Sequence, residues 1–135
     1  MPVDAGAAVL NVPDTVGYAI PSDYAALIRE VVTACPGTDV AAHCHNDLGL
    51  ATANTLAAVA AGAQQVECTV NGLGERAGNA ALEEVVAALA QHSDTFHTST
   101  DVDLEELVAT SELVSRLTGV PVAAHKAVVG ANVRK

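Results

Sequence analysis

His43 and His45 are separated by a single residue, and Asn46, Asp47 and Gly49 follow at once in the run His-Cys-His-Asn-Asp-Leu-Gly. In an extended chain alternate side chains project to the same face, so both imidazoles can reach one metal ion. Two nitrogen donors followed by oxygen donors and a flexible glycine suit a divalent cation. The plainer alternative is one surface histidine and one hydrogen-bonded structural histidine. Cys44, between them, points the other way and reads as a packed residue rather than a nucleophile. A second stretch, Asn71-Gly72-Leu73-Gly74-Glu75-Arg76-Ala77-Gly78-Asn79, combines glycines that permit close backbone approach, the charges of Glu75 and Arg76, and an amide at Asn79 able to cap a helix or join a metal. Its glycine spacing fits neither the P-loop nor the dinucleotide fingerprint, so a purely structural loop remains the alternative. In a third, Pro13-Asp14-Thr15-Val16-Gly17, Thr15 can donate its hydroxyl to a substrate carboxylate and Asp14 can orient a neighbour, unless the stretch is a simple turn.

Each of these stretches follows a short run of strand formers. Ala8-Val9-Leu10-Asn11-Val12 predicts a strand ending near Val12, Val40-Ala41-Ala42-His43 a second, and Val66-Glu67-Cys68-Thr69-Val70 a third. Between them lie helical patterns. Pro21-Ser22-Asp23 predicts a helix start, with Ser22 or Asp23 capping free amides, and Tyr24, Leu27, Ile28 and Val31 repeat at helical spacing up to Pro36-Gly37. Leu50 to Ala61 predicts an alanine-rich helix stopped by Gly62, and Asn79 to Gln91 a helix with Leu82, Val85, Val86 and Leu89 on one face. Three successive βα units imply parallel strands with right-handed crossovers, so the three polar stretches converge at one end of the sheet. After a polar segment from His92 to Thr100, Val102 to Leu117 predicts a further helix that Asp101, Asp103, Glu105 and Glu106 favour at its N-terminus. Lys126 to Gly130 predicts a short extended piece.

The fold class is therefore α/β, and the repeat fits an open doubly wound sheet or part of a closed barrel. Val3-Asp4-Ala5-Gly6-Ala7 resembles the end of a helix, which predicts further chain upstream. The 135 residues include 6 Lys and Arg against 16 Asp and Glu, a net charge of -10, with no basic cluster to meet a phosphate backbone. Nucleic acid is excluded as a partner on that ground. Cys35, Cys44 and Cys68 are widely spaced, and neither a secretory pattern nor a long apolar run is present, which predicts a reduced, cytoplasmic protein with no membrane partner. Aromatic residues are confined to Tyr18, Tyr24 and Phe96, so packing must rely on alanine and valine against closely approaching backbones.

Taken in order and spacing, Val12-Pro13-Asp14-Thr15-Val16-Gly17-Tyr18, His43-Cys44-His45-Asn46-Asp47-Leu48-Gly49-Leu50 and the loop Asn71 to Asn79 resemble the second half of the catalytic domain of 2-isopropylmalate synthases. The likeness continues through Leu117-Thr118-Gly119-Val120-Pro121 and Lys126-Ala127-Val128-Val129-Gly130-Ala131-Asn132. It implies a partial (β/α)8 TIM barrel, with residues 1–92 as the last three βα units and 93–135 as a helix and the start of a post-barrel segment. It also implies acetyl transfer from acetyl-CoA to 2-oxoisovalerate in leucine biosynthesis, a divalent metal (Mn, Mg or Zn), and a homodimer for the full-length enzyme. By motif position His43, His45 and Asn79 resemble the family's metal ligands, Asn11 and Thr15 its substrate-binding residues, and Gly74 and Glu75 the loop beside acetyl-CoA. The family's further metal-binding Asp and substrate Arg come from the first barrel strand, and its general base matches no residue here. The sequence ends with Asn132-Val133-Arg134-Lys135 where the family would continue toward a histidine-containing stretch, a departure from the family's pattern, so the chain alone is expected to be inactive. Homocitrate and citramalate synthases share the scheme, and a non-catalytic metal-binding or assembly fragment is the reading from another class.

Overall fold

The computed structural model describes residues 2–133. Three parallel strands, β1 (Val9–Asp14), β2 (Asp39–Cys44) and β3 (Gln65–Glu67), lie in the order β1-β2-β3. The crossovers are α1 (Pro21–Ala34) and α2 (Ala51–Ala60), and α3 (Leu82–Gln91) follows β3. A short α4 (Ser93–Phe96) and a longer α5 (Leu107–Thr118) complete the helices. Among the described residues no helix is long and apolar enough to cross a membrane.

Side-chain alternation divides the sheet into two faces. Val12, Val40, Ala42, Cys44 and Val66 face the helices and pack with Tyr24 and Ile28 of α1, Ala51 and Ala58 of α2, and Val85 and Leu89 of α3. The predicted reliance on small residues is visible there, because Ala42, Ala51, Ala58 and Ala80 are fully buried and let the helices lie close to the strands. On the opposite face Asn11, Pro13, His43 and Glu67 share the alternate register, and among the described residues no helix packs over them. A doubly wound sheet carries helices on both faces. Helices on one face, with polar chemistry on the other, make this a segment of a (β/α)8 barrel wall.

Several boundaries differ from the sequence expectation. β1 continues through Pro13 to Asp14, which a strand at the edge of this sheet tolerates because proline's missing donor need not serve a ladder. Ser22 and Asp23 do not cap α1: Ile20 is the capping position, Pro21 occupies the first turn, and the Ser22 hydroxyl donates instead to the Asp23 carboxylate. β3 stops at Glu67, and α3 starts at Leu82 rather than Asn79. In the intervening chain Thr69 bridges to Ala81, and Asn79 forms an antiparallel bridge with His45, so tertiary pairing displaces both the strand end and the helix start. The polar segment after α3 contains α4, and Asp103 caps the turn before α5 by accepting from the Glu105 N–H. Lys126 to Gly130 is a compact turn rather than an extended piece, with Val129 buried against Val86 and Leu107. Arg134 and Lys135, at the end where the family pattern would continue, lie outside the described residues.

Candidate metal centre

At the C-terminal end of β2 the two imidazoles meet, with His43 Nε2 3.1 Å from His45 Nε2. His43 pairs in register with Glu67, and its Nδ1 lies 2.9 Å from Glu67 Oε2. The other oxygen of that carboxylate, Oε1, accepts a hydrogen bond from Asn11 Nδ2 at 2.8 Å. One line of contacts therefore crosses all three strands on the uncovered face. Asn79 lies directly across the bridge from His45, a relation that places two side chains on the same face with Cβ atoms about 5 Å apart. Its Nδ2 donates to the Leu73 carbonyl at 2.9 Å, which turns Oδ1 away, and Oδ1 is buried without a hydrogen-bond partner. Gly74 makes this possible: a Cβ there would collide with the Asn79 amide nitrogen. Glu75, largely exposed, brings Oε1 within 3.9 Å of His45 Nε2.

Arg76 holds the loops that frame the centre. Its Nε and Nη2 donate to the two Asp47 oxygens at 2.9 and 3.0 Å, and Nη2 also donates to the Thr15 carbonyl at 2.7 Å. The guanidinium beside Asp47 holds that carboxyl below its usual range, and Asp47 in turn raises Arg76. Glu75 also lies below the usual range, first because its own backbone N–H donates to it, with His45 and Arg76 adding. Gly17 fits against Asp47 so closely that a Cβ would come within 2.6 Å of Oδ2. Asp14 orients its neighbours, as its residue type suggests, by accepting from the Tyr18 and Ala19 N–H groups at 3.1 and 3.2 Å. The Thr15 residue is exposed at the rim.

A cation fits the inner part of this arrangement. Two donors about 2.1 Å from one ion lie roughly 3.0–3.4 Å apart, depending on coordination angle. The two imidazole nitrogens already have that spacing, and the orphaned Asn79 oxygen is the kind of buried acceptor that a cation satisfies. Among the described residues no third His, Cys, Asp or Glu completes a ligand group with the histidines. The oxygens of Asn46 and Asp47, which follow the histidines in sequence, are committed elsewhere: Asn46 Oδ1 accepts from the Ala51 N–H at the start of α2, and Asp47 is held by Arg76.

The family model described as HMGL-like matches residues 2–114. The chain belongs to the HMGL-like family. Among curated relatives, the 2-isopropylmalate synthase of Acidimicrobium ferrooxidans is 63% identical over 132 residues, covering 96% of this chain and 26% of that protein. The chain thus spans about a quarter of the length of the curated relatives it matches. Among solved structures, the HMG-CoA lyase of Bacillus subtilis superposes with a TM-score of 0.78 at 27% identity, over 92% of this chain and 42% of that one. A second HMG-CoA lyase, from Acinetobacter baumannii in complex with coenzyme A and 3-methylmalate, gives a TM-score of 0.75 at 26% identity, over 87% of this chain and 39% of that one.

Within this HMGL-like segment the sequence reading did not single out two carboxylates. Glu67 had a signal, a charged residue inside a short apolar strand, but its partner emerges only from the parallel register that sets it beside His43. Glu83 is 2% exposed in α3; its Oε2 accepts from the Asn71 N–H at 3.0 Å, and Lys126 Nζ lies 3.1 Å from Oε1 without hydrogen-bond geometry. Lys126 also pairs with Glu84. Burial alone would push the Lys126 ammonium down, but Glu84 and Glu83 outweigh it and raise it. Asn71 itself has φ of 62° and exchanges side-chain bonds with Ser111 of α5, so the glycine loop is anchored to elements on both sides. Cys44 is fully buried as expected, and desolvation pushes its thiol up.

Proposed function

We propose that this chain is the part of a 2-isopropylmalate synthase barrel that supplies His43, His45 and Asn79 to a divalent metal (Mn, Mg or Zn). In this reading residues 1–92 are the last three βα units and 93–135 begin the segment after the barrel. The whole enzyme condenses acetyl-CoA with 2-oxoisovalerate and releases CoA in the cytoplasm as a homodimer, contributing to leucine biosynthesis. The observation that carries the reading is the pair of imidazole nitrogens 3.1 Å apart with an unpartnered amide oxygen on the residue bridged to one of them. The identity to named synthases supports the choice of keto acid.

His43, His45 and Asn79 would hold a divalent cation, which would supply Lewis acidity toward the keto acid's carbonyl oxygen. The chain's own residues prepare the surroundings. Thr15 offers a hydroxyl at the rim, and Asn11, with one amide hydrogen engaged by Glu67, keeps a second for a substrate oxygen. Arg76 fixes the Thr15 backbone and the loop after β2 relative to one another, so the Thr15 hydroxyl meets the substrate from a fixed loop, while Glu67 holds Asn11. Gly74 and Glu75, in the loop that reaches His45, are assigned in this reading to the acetyl-CoA end of the site. The group that removes the methyl proton belongs to chain outside these units.

The test measures keto-acid-dependent CoA release by the full-length enzyme with acetyl-CoA, 2-oxoisovalerate and Mg²⁺ or Mn²⁺, beside His43→Ala and Asn79→Ala. Loss of release in both folded variants is the expected result. Undiminished release in His43→Ala would overturn the reading, and a preference for 2-oxoglutarate or pyruvate would move it to the homocitrate or citramalate branch.

A further inference from the structure

Glu67 has a place that neither the composition of the loops nor the metal reading assigns. It sits on β3 opposite His43 in the parallel register, and its two carboxylate oxygens are spent on two different strands. Oε2 is 2.9 Å from His43 Nδ1, and Oε1 accepts from Asn11 Nδ2 at 2.8 Å. An ionised carboxylate only accepts, so the hydrogen of a neutral His43 must lie on Nδ1 for this contact to form. The lone pair is then left on Nε2, the atom that faces His45. Asn11 supplies the complementary restraint, because its donated hydrogen stops the Glu67 carboxylate from rotating away.

We infer that Glu67 is a positioning residue: held by Asn11, it fixes the ring orientation and the Nδ1–H tautomer of His43 so that Nε2 is presented as a ready donor. The inference rests on the proposed metal centre for its purpose, but the tautomer itself is a property of the metal-free chain. Carboxylates that accept the second ring hydrogen of a ligating histidine orient the ring and raise its basicity, and their removal weakens metal binding about 10–100-fold. A carboxylate present only to stabilise the sheet would leave the tautomer of His43 unmoved when replaced.

The experiment records long-range proton–nitrogen correlation spectra of the histidine rings in the metal-free full chain, for wild type, Glu67→Ala and Glu67→Gln, and titrates each with Mn²⁺ and Zn²⁺ calorimetrically. Asn11→Ala is a milder variant that keeps the carboxylate. The expected result is a single Nδ1–H form of His43 in wild type, a shift toward Nε2–H in Glu67→Ala, an intermediate state in Glu67→Gln and Asn11→Ala, and metal affinity reduced about 10–100-fold in Glu67→Ala. A His43 tautomer unchanged in folded Glu67→Ala would overturn the inference, whatever the metal titration gives. Failure of wild type to bind either cation, with the tautomer still dependent on Glu67, would overturn the metal reading and leave the positioning role standing.

Discussion

Replacing Lys126 with methionine removes a charge while keeping most of the side-chain volume, and it isolates the role of the buried Glu83. The Glu83 carboxylate is 2% exposed; its remaining partner would be the Asn71 N–H, since Lys126 Nζ is the cation at 3.1 Å. Removing one member of a buried ion pair costs about 3–5 kcal/mol because the other charge is stranded. Lys126 is itself 21% exposed, so water softens the loss toward the lower end, about 3 kcal/mol. At roughly 4 °C per kcal/mol for a chain of this size, the unfolding midpoint should fall by about 12 °C. Glu83→Gln alone should cost about 1–2 kcal/mol, since its amide oxygen still accepts from Asn71 and Lys126 keeps Glu84. The double variant should then be more stable than the two losses summed, by at least about 1 kcal/mol, because the stranded charge is gone. Thermal and urea unfolding of the four proteins close the cycle. Strict additivity would refute the reasoning and show that Glu83 does not depend on Lys126.

Three further outcomes follow from the same geometry. Gly74→Ala should lower Mn²⁺ affinity about tenfold while the circular dichroism spectrum is retained, because the new methyl displaces the Asn79 amide; unchanged affinity in a calorimetric titration would mean that Asn79 is not a ligand. Cys44, fully buried with its thiol pushed up by desolvation, should react with a disulfide reagent only after denaturant is added, and labelling at the rate of a free thiol in the folded chain would contradict its packing. Lys126 is held above its ordinary value of 10.5, so its contribution to stability is complete below that pH and disappears as pH rises through the higher folded value. Denaturant midpoints of wild type should therefore fall in this alkaline window by more than those of Lys126→Met, and parallel profiles would remove the ion pair from the account.

The three βα units were legible because each strand is a short apolar run closed by a polar loop, and the helices between them are apolar at helical spacing, the first two stopped by Pro36-Gly37 and Gly62. What the sequence hid were the places where tertiary pairing overrides local preference. Thr69 and Val70 are β-branched and read as strand, yet Val70 to Gly72 winds into a 3-10 turn with Asn71 left-handed, anchored by Glu83 and Ser111. Asn79 and Ala81 read as the start of a helix but are held extended by bridges to His45 and Thr69. The histidine pair was legible from strand alternation alone. Glu67 was not, since its role follows from register between strands that are 24 residues apart in sequence at the contact. Arg76 was visible as a charge, but its two partners, Asp47 and Thr15, lie in different loops and share no spacing rule with it.

The Arg76 clamp also sets an order of events in synthesis. β2 with His43 and the loops after β1 and β2, carrying Thr15, His45 and Asp47, leave the ribosome first, and the guanidinium that joins those two loops arrives with the third. Domains acquire their structure as the chain emerges from its N-terminal end, at about 5–20 residues per second. The 29 residues between Asp47 and Arg76 therefore correspond to a delay of roughly 1.5–6 seconds during which the histidines exist without their frame. Until Arg76 emerges, the Asp47 carboxylate lacks the guanidinium that holds it in the folded chain.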